Sequence, residues 1–176
     1  EAVVERPDIK GQVMARVEEA AREDAIISTN TSGLPIREIA EGRSEAFRRR
    51  FLGTHFFNPP RYLKLLELIP TADTDPEVLA LLAWFGRFYL GKGIVVANDV
   101  PYFIGNRIGV YGMMRVIALF EQGRYTIEEI DALTGTLVGR PKSATFRTAD
   151  VVGLDVMLDV ARNLYEKATN DESCEA

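Results

Sequence analysis

Gly53-Thr54-His55-Phe56-Phe57-Asn58-Pro59-Pro60-Arg61-Tyr62-Leu63-Lys64-Leu65-Leu66-Glu67-Leu68-Ile69 is the stretch whose reading decides the fold. Two apolar runs, Arg50 to Phe57 and Tyr62 to Ile69, read as short buried strands. Asn58-Pro59-Pro60 between them cannot continue a ladder, because proline has no backbone N–H to donate. A hairpin-like pair is expected, with His55 ending the first strand and Glu67 inside the second. Adjoining strands can bring an imidazole and a carboxylate together although a whole turn separates them in sequence. A carboxylate buried among leucines is costly without a partner, and His55, the only histidine in 176 residues, is the candidate at hand. Histidine is also the side chain whose charge changes nearest neutrality, so proton transfer at physiological pH falls to it. Composition alone favours a satisfied core histidine beside Phe56 and Phe57, and both readings stand at this point.

Composition narrows the function classes. At 47% hydrophobic and 27% charged the chain has the proportions of one globular domain, or of pieces of two. A net charge of −5 leaves no basic footprint for nucleic acid, and Arg48-Arg49-Arg50 reads as a solvated entrance to a strand. The single cysteine, Cys174, excludes an internal disulfide and suits a reducing interior. One His and one Cys, far apart, make no ligand cluster of zinc spacing, so no metal is expected. No apolar run approaches the ~20 residues that a bilayer span requires, and no signal peptide is seen. A soluble, cytoplasmic protein without a membrane or nucleic-acid partner is expected.

Outward from the central pair, Ala2-Val3-Val4-Glu5 reads as the end of a strand whose start precedes the chain, which is therefore expected to be a fragment. Pro7 and Asp8 open a helix with Ile9, Val13, Val17 and Ala20 or Ala21 on its apolar face. Ala25 to Ser28 follows as a strand, completing one strand–helix–strand unit of a helix-covered parallel sheet. Ser28-Thr29-Asn30-Thr31-Ser32-Gly33 then lies at the carboxyl end of that strand, the end that faces the ligand crevice in open α/β sheets. A plain polar turn before a short helix, Pro35 to Ala40, is the alternative. Thr74-Asp75-Pro76-Glu77 carries a capping pattern for a helix marked by Val78, Leu81 or Leu82, Phe85, Phe88 and Tyr89, stopping at Gly91. Gly93 to Ala97 is a last strand.

From Asn98 onward no period-two pattern remains. A domain boundary is placed there, giving residues 1–99 and an all-helical 100–176. Helices are expected from about Tyr102 to Gln122, from the capping box at Thr126 to Gly139 with Ile127, Ile130, Leu133 and Leu137 inward, and from Leu154 to Ala168. The first is apolar on more than one side, which suggests burial against a partner subunit. Thr169 to Ala176 reads as a frayed tail.

The ordered set Val3-Val4-Glu5, Ser28-Thr29-Asn30-Thr31-Ser32, Gly53-Thr54-His55-Phe56-Phe57-Asn58-Pro59, Lys64-Leu65-Leu66-Glu67 and Phe103-Ile104-Gly105-Asn106-Arg107 resembles the L-3-hydroxyacyl-CoA dehydrogenases of fatty-acid β-oxidation. The likeness runs from about Ala2 to Leu164. It implies α/β followed by all-α: the C-terminal part of a Rossmann-type NAD domain, then a helical domain for dimerisation and substrate. By the same resemblance His55 is the catalytic base and Glu67 its partner, while Ser32 and Asn106 hold the reacting oxygen of an acyl-CoA substrate. Glu5, Lys10, Asn30 and Ser32 border the NAD cofactor, and Asn58 lies in the substrate wall. A homodimer is implied, and so is a covalently linked enoyl-CoA hydratase module if the chain is part of a multifunctional protein, whose version of the segment the run Gly139 to Asp150 resembles.

Two features depart from the family pattern. The glycine-rich phosphate loop and acidic ribose ligand are expected before residue 1. Where the family has Pro-Gly before Phe-Ile, this chain has Pro101-Tyr102.

Overall fold

A computed structural model of the chain describes residues 1–167, which form two compact units, one from Glu1 to Ile104 and the other from Gly105 onward. The first unit holds a four-stranded sheet in the order β1 (Ile27–Thr29), β2 (Phe51–Phe56), β3 (Leu65–Pro70) and β4 (Gly93–Val96). β1 and β2 are parallel, β2 and β3 antiparallel, β3 and β4 parallel. The short turn between β2 and β3 permits only the antiparallel pairing, whereas a parallel one needs a crossover of a dozen or more residues. The register sets His55 opposite Glu67 and Gly53 opposite Ile69.

Alternation along β2 sends Phe51, Gly53 and His55 to one face and Leu52, Thr54 and Phe56 to the other. The first face packs with α1 (Pro7–Ala20), α2 (Ile36–Ile39) and α3 (Glu45–Arg49). Its core is Met14, Ile36, Ile39, Phe47, Phe51, Ile69 and Phe103, each at most 1% exposed. Full burial of such a side chain contributes about 1.5–3 kcal/mol. On the second face Gly86 of α4 (Pro76–Phe88) lets that helix close onto Leu66 and Ile94, whose side-chain carbons would lie 3.2 and 2.7 Å from any Cβ at this position.

The central pair, the flanking strands and α4 stand as the sequence indicates. The expected strand at Ala2 to Glu5 does not form: only Glu1 joins the ladder, donating to Ser28 O at 2.9 Å and accepting from Asn30 N at 2.8 Å. The buried ridge of α1 is Lys10 and Met14 rather than Ile9, Val13 and Val17, which are half-buried. The helix face is turned because the lysine stem packs as a hydrocarbon while its ammonium meets carboxylates. α3 was not anticipated: Ser44 caps it by accepting from Phe47 N at 3.2 Å, and Arg48 and Arg49 form its last turn rather than a strand entrance. Asp75 is the N-cap of α4 but makes no side-chain capping bond, its carboxylate going instead to Arg49.

In the helical unit, α5 spans Gly105–Phe120, α6 Ile127–Thr134, α7 Phe146–Val152 and α8 Leu154–Lys167. α5 starts later than Tyr102 because Tyr102 and Phe103 take left-handed backbone, with φ of 61° and 51°, which no right-handed helix accommodates. The capping box at Thr126 forms as expected, with Glu129 closing it. The helix ends at Thr134, and a 3₁₀ turn at Thr136–Val138 carries the chain to Gly139. Of the four expected inward residues only Ile130 is buried; Ile127, Leu133 and Leu137 are exposed. The unanticipated α7 is started by Asp131, whose carboxylate accepts from the N–H groups of Thr145, Phe146 and Arg147 at 3.1, 2.7 and 3.1 Å. Ala168 and the tail from Thr169 lie outside the described residues. No helix among the described residues is long and apolar enough to cross a membrane.

Candidate active site

His55 and Glu67 face each other across the β2–β3 ladder, and His55 Nδ1 lies 2.7 Å from Glu67 Oε2. Both side chains are buried, at 3% and 1% exposure. The other carboxylate oxygen, Oε1, accepts from the backbone N–H of Ile104 at 3.0 Å. Each carboxylate oxygen therefore holds a separate donor, and the pairing assigns the imidazole proton to Nδ1, leaving Nε2 as the acceptor. The Phe57 and Phe103 rings flank the imidazole at 4.5 and 5.6 Å between centroids. This apolar wall strengthens the ion–dipole pairing inside it, since a low local dielectric screens it little.

The strand ends around His55 are clipped together. Asn30 Oδ1 accepts from Phe56 N at 3.0 Å, and Thr54 Oγ1 donates to Ser28 Oγ at 2.9 Å, so the polar run after β1 is bound to the residues on either side of the histidine. Ser32 is exposed, and its N–H donates to Glu5 Oε1 at 3.1 Å. Thr31 Oγ1 also donates to that oxygen and accepts from Leu34 N at 3.1 Å, which closes the turn.

Lys10 is fully buried. Its ammonium donates to Glu1 Oε1 and Oε2 at 3.0 and 3.2 Å and to Val3 O at 3.1 Å, and it lies 3.4 Å from Glu5 Oε2. Of the two carboxylates, Glu5 is the one at the surface, its side chain 44% exposed. Burial alone would raise the Glu1 carboxyl, but hydrogen bonds from Thr29, Val3 N–H and Lys10 outweigh it and hold the group below the usual carboxylate range. Asn58 sits exposed in the β2–β3 turn, which Lys92 pins by donating to Pro60 O and, at 2.7 Å, to Leu63 O. Asn106 is the second residue of α5, in the helical unit.

The structure brings His55 to Glu67, Asn30 to the end of β2, and Ser32 to Glu5, whose other oxygen lies by Lys10. Sequence reasoning missed Glu1, Thr31, Phe103 and the Ile104 amide. An acid at the start of Glu-Ala-Val-Val-Glu was a signal for the first; a backbone N–H leaves none.

Residues 1–100 match the description "3-hydroxyacyl-CoA dehydrogenase, NAD binding domain" and residues 103–176 match "3-hydroxyacyl-CoA dehydrogenase, C-terminal domain". The chain belongs to the 3-hydroxyacyl-CoA dehydrogenase family. It is 54% identical over 98% of its length to a probable 3-hydroxyacyl-CoA dehydrogenase of Bacillus subtilis, covering 22% of that protein. It is 37% identical over 93% of its length to a putative fatty acid oxidation complex trifunctional enzyme of Rickettsia felis, covering 23% of it. A crystal structure of (S)-3-hydroxybutyryl-CoA dehydrogenase from Ralstonia eutropha superposes with a TM-score of 0.85 at 31% identity, covering 98% of this chain and 59% of that one. The family chain described here thus spans about a fifth of the length of the first two relatives. Its two matched domains follow the change from sheet to helices seen in the fold.

Proposed function

We propose that the protein carrying this chain oxidises (S)-3-hydroxyacyl-CoA to 3-oxoacyl-CoA, reversibly and with NAD, in fatty-acid β-oxidation. The observation that carries the reading is the buried His55–Glu67 pair, with Nδ1 tied to the carboxylate and Nε2 left to take a proton. The alcohol must lose a proton from oxygen as hydride leaves carbon 3, and neutral His55 is the acceptor. Glu67 fixes the tautomer and stabilises the imidazolium that forms, so its contribution is electrostatic. Ser32 and Asn106 steady the substrate oxygen as its charge changes. Asn58 lines the acyl-CoA side.

The residues present suit the nicotinamide half of the cofactor. Glu5 offers a half-exposed carboxylate, an acceptor matched to the hydroxyls of a ribose, with Lys10 behind it and Ser32 beside it, while Asn30 sits at the end of β2. Bound NAD supplies the hydride acceptor. A homodimer through the helical domain and a covalently linked enoyl-CoA hydratase module complete the proposed assembly, the latter supported by the likeness to a trifunctional enzyme.

The test is His55→Ala in the protein that carries these residues, assayed with acetoacetyl-CoA and NADH. General-base catalysis is worth roughly 10²- to 10⁴-fold, so turnover is expected to fall by that factor, about 3–5 kcal/mol in barrier. Turnover near the unmodified rate in a folded variant would remove the assignment.

A further inference from the structure

The turn between β2 and β3 carries Asn58, and burial does not hold it: Asn58, Pro59, Pro60, Arg61, Tyr62 and Leu63 are all exposed. Within the turn the N–H groups of Tyr62 and Leu63 both donate to Pro59 O, at 3.0 and 3.1 Å, which shapes it without fastening it to the rest of the sheet. The fastening comes from Lys92, whose own backbone is fixed first. Lys92 N donates to Gly86 O at 2.9 Å near the end of α4, and Gly93 N, opening β4, donates to Lys64 O at 2.8 Å. From that base Lys92 Nζ donates to Pro60 O and, at 2.7 Å, to Leu63 O, and it stands 5.8 Å from the centre of the Phe56 ring. Bonds from an ammonium to carbonyls are stronger than neutral ones. Phe56 directly follows His55. One ammonium therefore grips the chain on both sides of Asn58, before it at Phe56 and after it at Pro60 and Leu63.

We infer that Lys92 is a positioning residue for the substrate side of the site: its ammonium holds the Asn58 turn in the conformation that an acyl-CoA meets. This rests on the dehydrogenase reading, with Asn58 lining the acyl-CoA side. A turn held before the substrate arrives costs no ordering when it binds. Released from Lys92, the two carbonyls turn to water and the turn samples conformations that present Asn58 elsewhere. Substrate then binds only those molecules whose turn is in place, and its apparent affinity falls by that fraction. Once substrate is bound the turn is in place, and the His55–Glu67 pair is tied by its own hydrogen bonds. On the cofactor side Glu5 is bonded to Ser32 N rather than to Lys92. The expected mark of a lost ammonium is a KM effect confined to the acyl substrate.

The experiment measures kcat and both KM values with (S)-3-hydroxybutyryl-CoA and NAD, in the full-length protein. Lys92→Met keeps a stem over Phe56 and removes the donors; a turn in place about a tenth of the time raises KM for the acyl-CoA about tenfold. Its kcat and its KM for NAD should change little. Lys92→Arg, whose guanidinium can donate to both carbonyls, should restore the KM. Asn58→Ala should raise the same KM, and Lys92→Met should add little on top of it. (S)-3-Hydroxybutyryl-pantetheine, which lacks the phosphates of CoA, should show the same rise, which sets positioning apart from attraction of those phosphates by a lysine charge. An unchanged KM in Lys92→Met, an equal rise for NAD, no rescue by Arg, a rise confined to the CoA substrate, or full additivity with Asn58→Ala each overturns the inference. If Lys92→Met does not fold by circular dichroism, Lys92→Gln takes its place under the same expectations. His55→Ala in parallel separates the two readings, since high turnover there removes the dehydrogenase assignment whatever the Lys92 variants do.

Discussion

Replacing Glu67 by Gln tests the site without changing its volume. The carboxylate accepts two hydrogen bonds in a buried setting, from His55 Nδ1 at 2.7 Å and from Ile104 N at 3.0 Å. A carboxamide has one oxygen and one NH₂, so it can serve only one of these donors unchanged. If the oxygen faces His55, the NH₂ meets the Ile104 N–H donor to donor, and a buried donor left unsatisfied costs about 1–3 kcal/mol. If the oxygen faces Ile104, the NH₂ donates to Nδ1 and the imidazole moves its proton to Nε2. Neutral imidazole holds its proton on either nitrogen, so this second arrangement wins and stability is nearly kept. Catalysis is not kept, because Nε2 is the atom that should accept the substrate proton. A base held in the wrong tautomer loses on the order of 10⁴-fold in rate, about 5 kcal/mol in barrier. The assay is turnover with (S)-3-hydroxybutyryl-CoA and NAD, the direction in which Nε2 accepts the proton, beside a thermal unfolding scan of the same preparation. A folded Glu67→Gln variant with turnover within tenfold of the parent, and an unshifted unfolding midpoint, would show that the tautomer is not set by this carboxylate.

Lys10→Met leaves the Glu1 and Glu5 carboxylates facing each other without their cation; breaking such a buried pair costs about 3–5 kcal/mol, toward the low end here because Glu5 is half-exposed. Urea unfolding should register it, and a Glu1→Gln second change should return part of the loss; no loss at all would mean that the ammonium is not the cluster's counter-ion. Gly53→Ala sets a methyl 2.7 Å from Ile36 Cδ1 and 3.1 Å from both Ile36 Cγ1 and Ile69 Cβ, an overpacking worth about 1–3 kcal/mol against stability. An equally stable variant would show that the sheet and α2 are looser than the distances imply. Hydrogen bonds from Ser44 lead, burial opposes, and Arg43 adds to holding the Glu18 carboxyl below its ordinary 4.5. Because the folded value is the lower one, this tie between α1 and α3 contributes fully above about that ordinary value and is lost as pH falls through the depressed one. Glu18→Gln should flatten the acid end of the stability-versus-pH curve, and an identical slope in both proteins would rule the tie out.

How much of the site could be read in advance depended on what kind of contact each residue makes. The apolar runs around His55 and Glu67, with prolines between, were enough to pair the strands, because a short apolar run and a missing N–H are properties of the residues themselves. The strand at Ala2 to Glu5 failed because Val3 and Val4 carry strand propensity but no partner beyond Glu1, and propensity yields to pairing. α3 and α7 were missed because each is started by a single capping group, Ser44 or Asp131, too short a signal for apolar periodicity.

The sequence by itself determined the central strand pair and the shift from sheet to helices, and it singled out His55 and Glu67 as the imidazole and acid able to meet; the tertiary structure decided that they do. Only the tertiary structure decided that Lys10 turns inward, that Tyr102 and Phe103 sit left-handed, and that the Ile104 amide completes the hold on Glu67. The division has one physical cause: periodicity and proline act within a segment, whereas a buried ammonium, a strained turn and a backbone donor are fixed by partners brought from far along the chain.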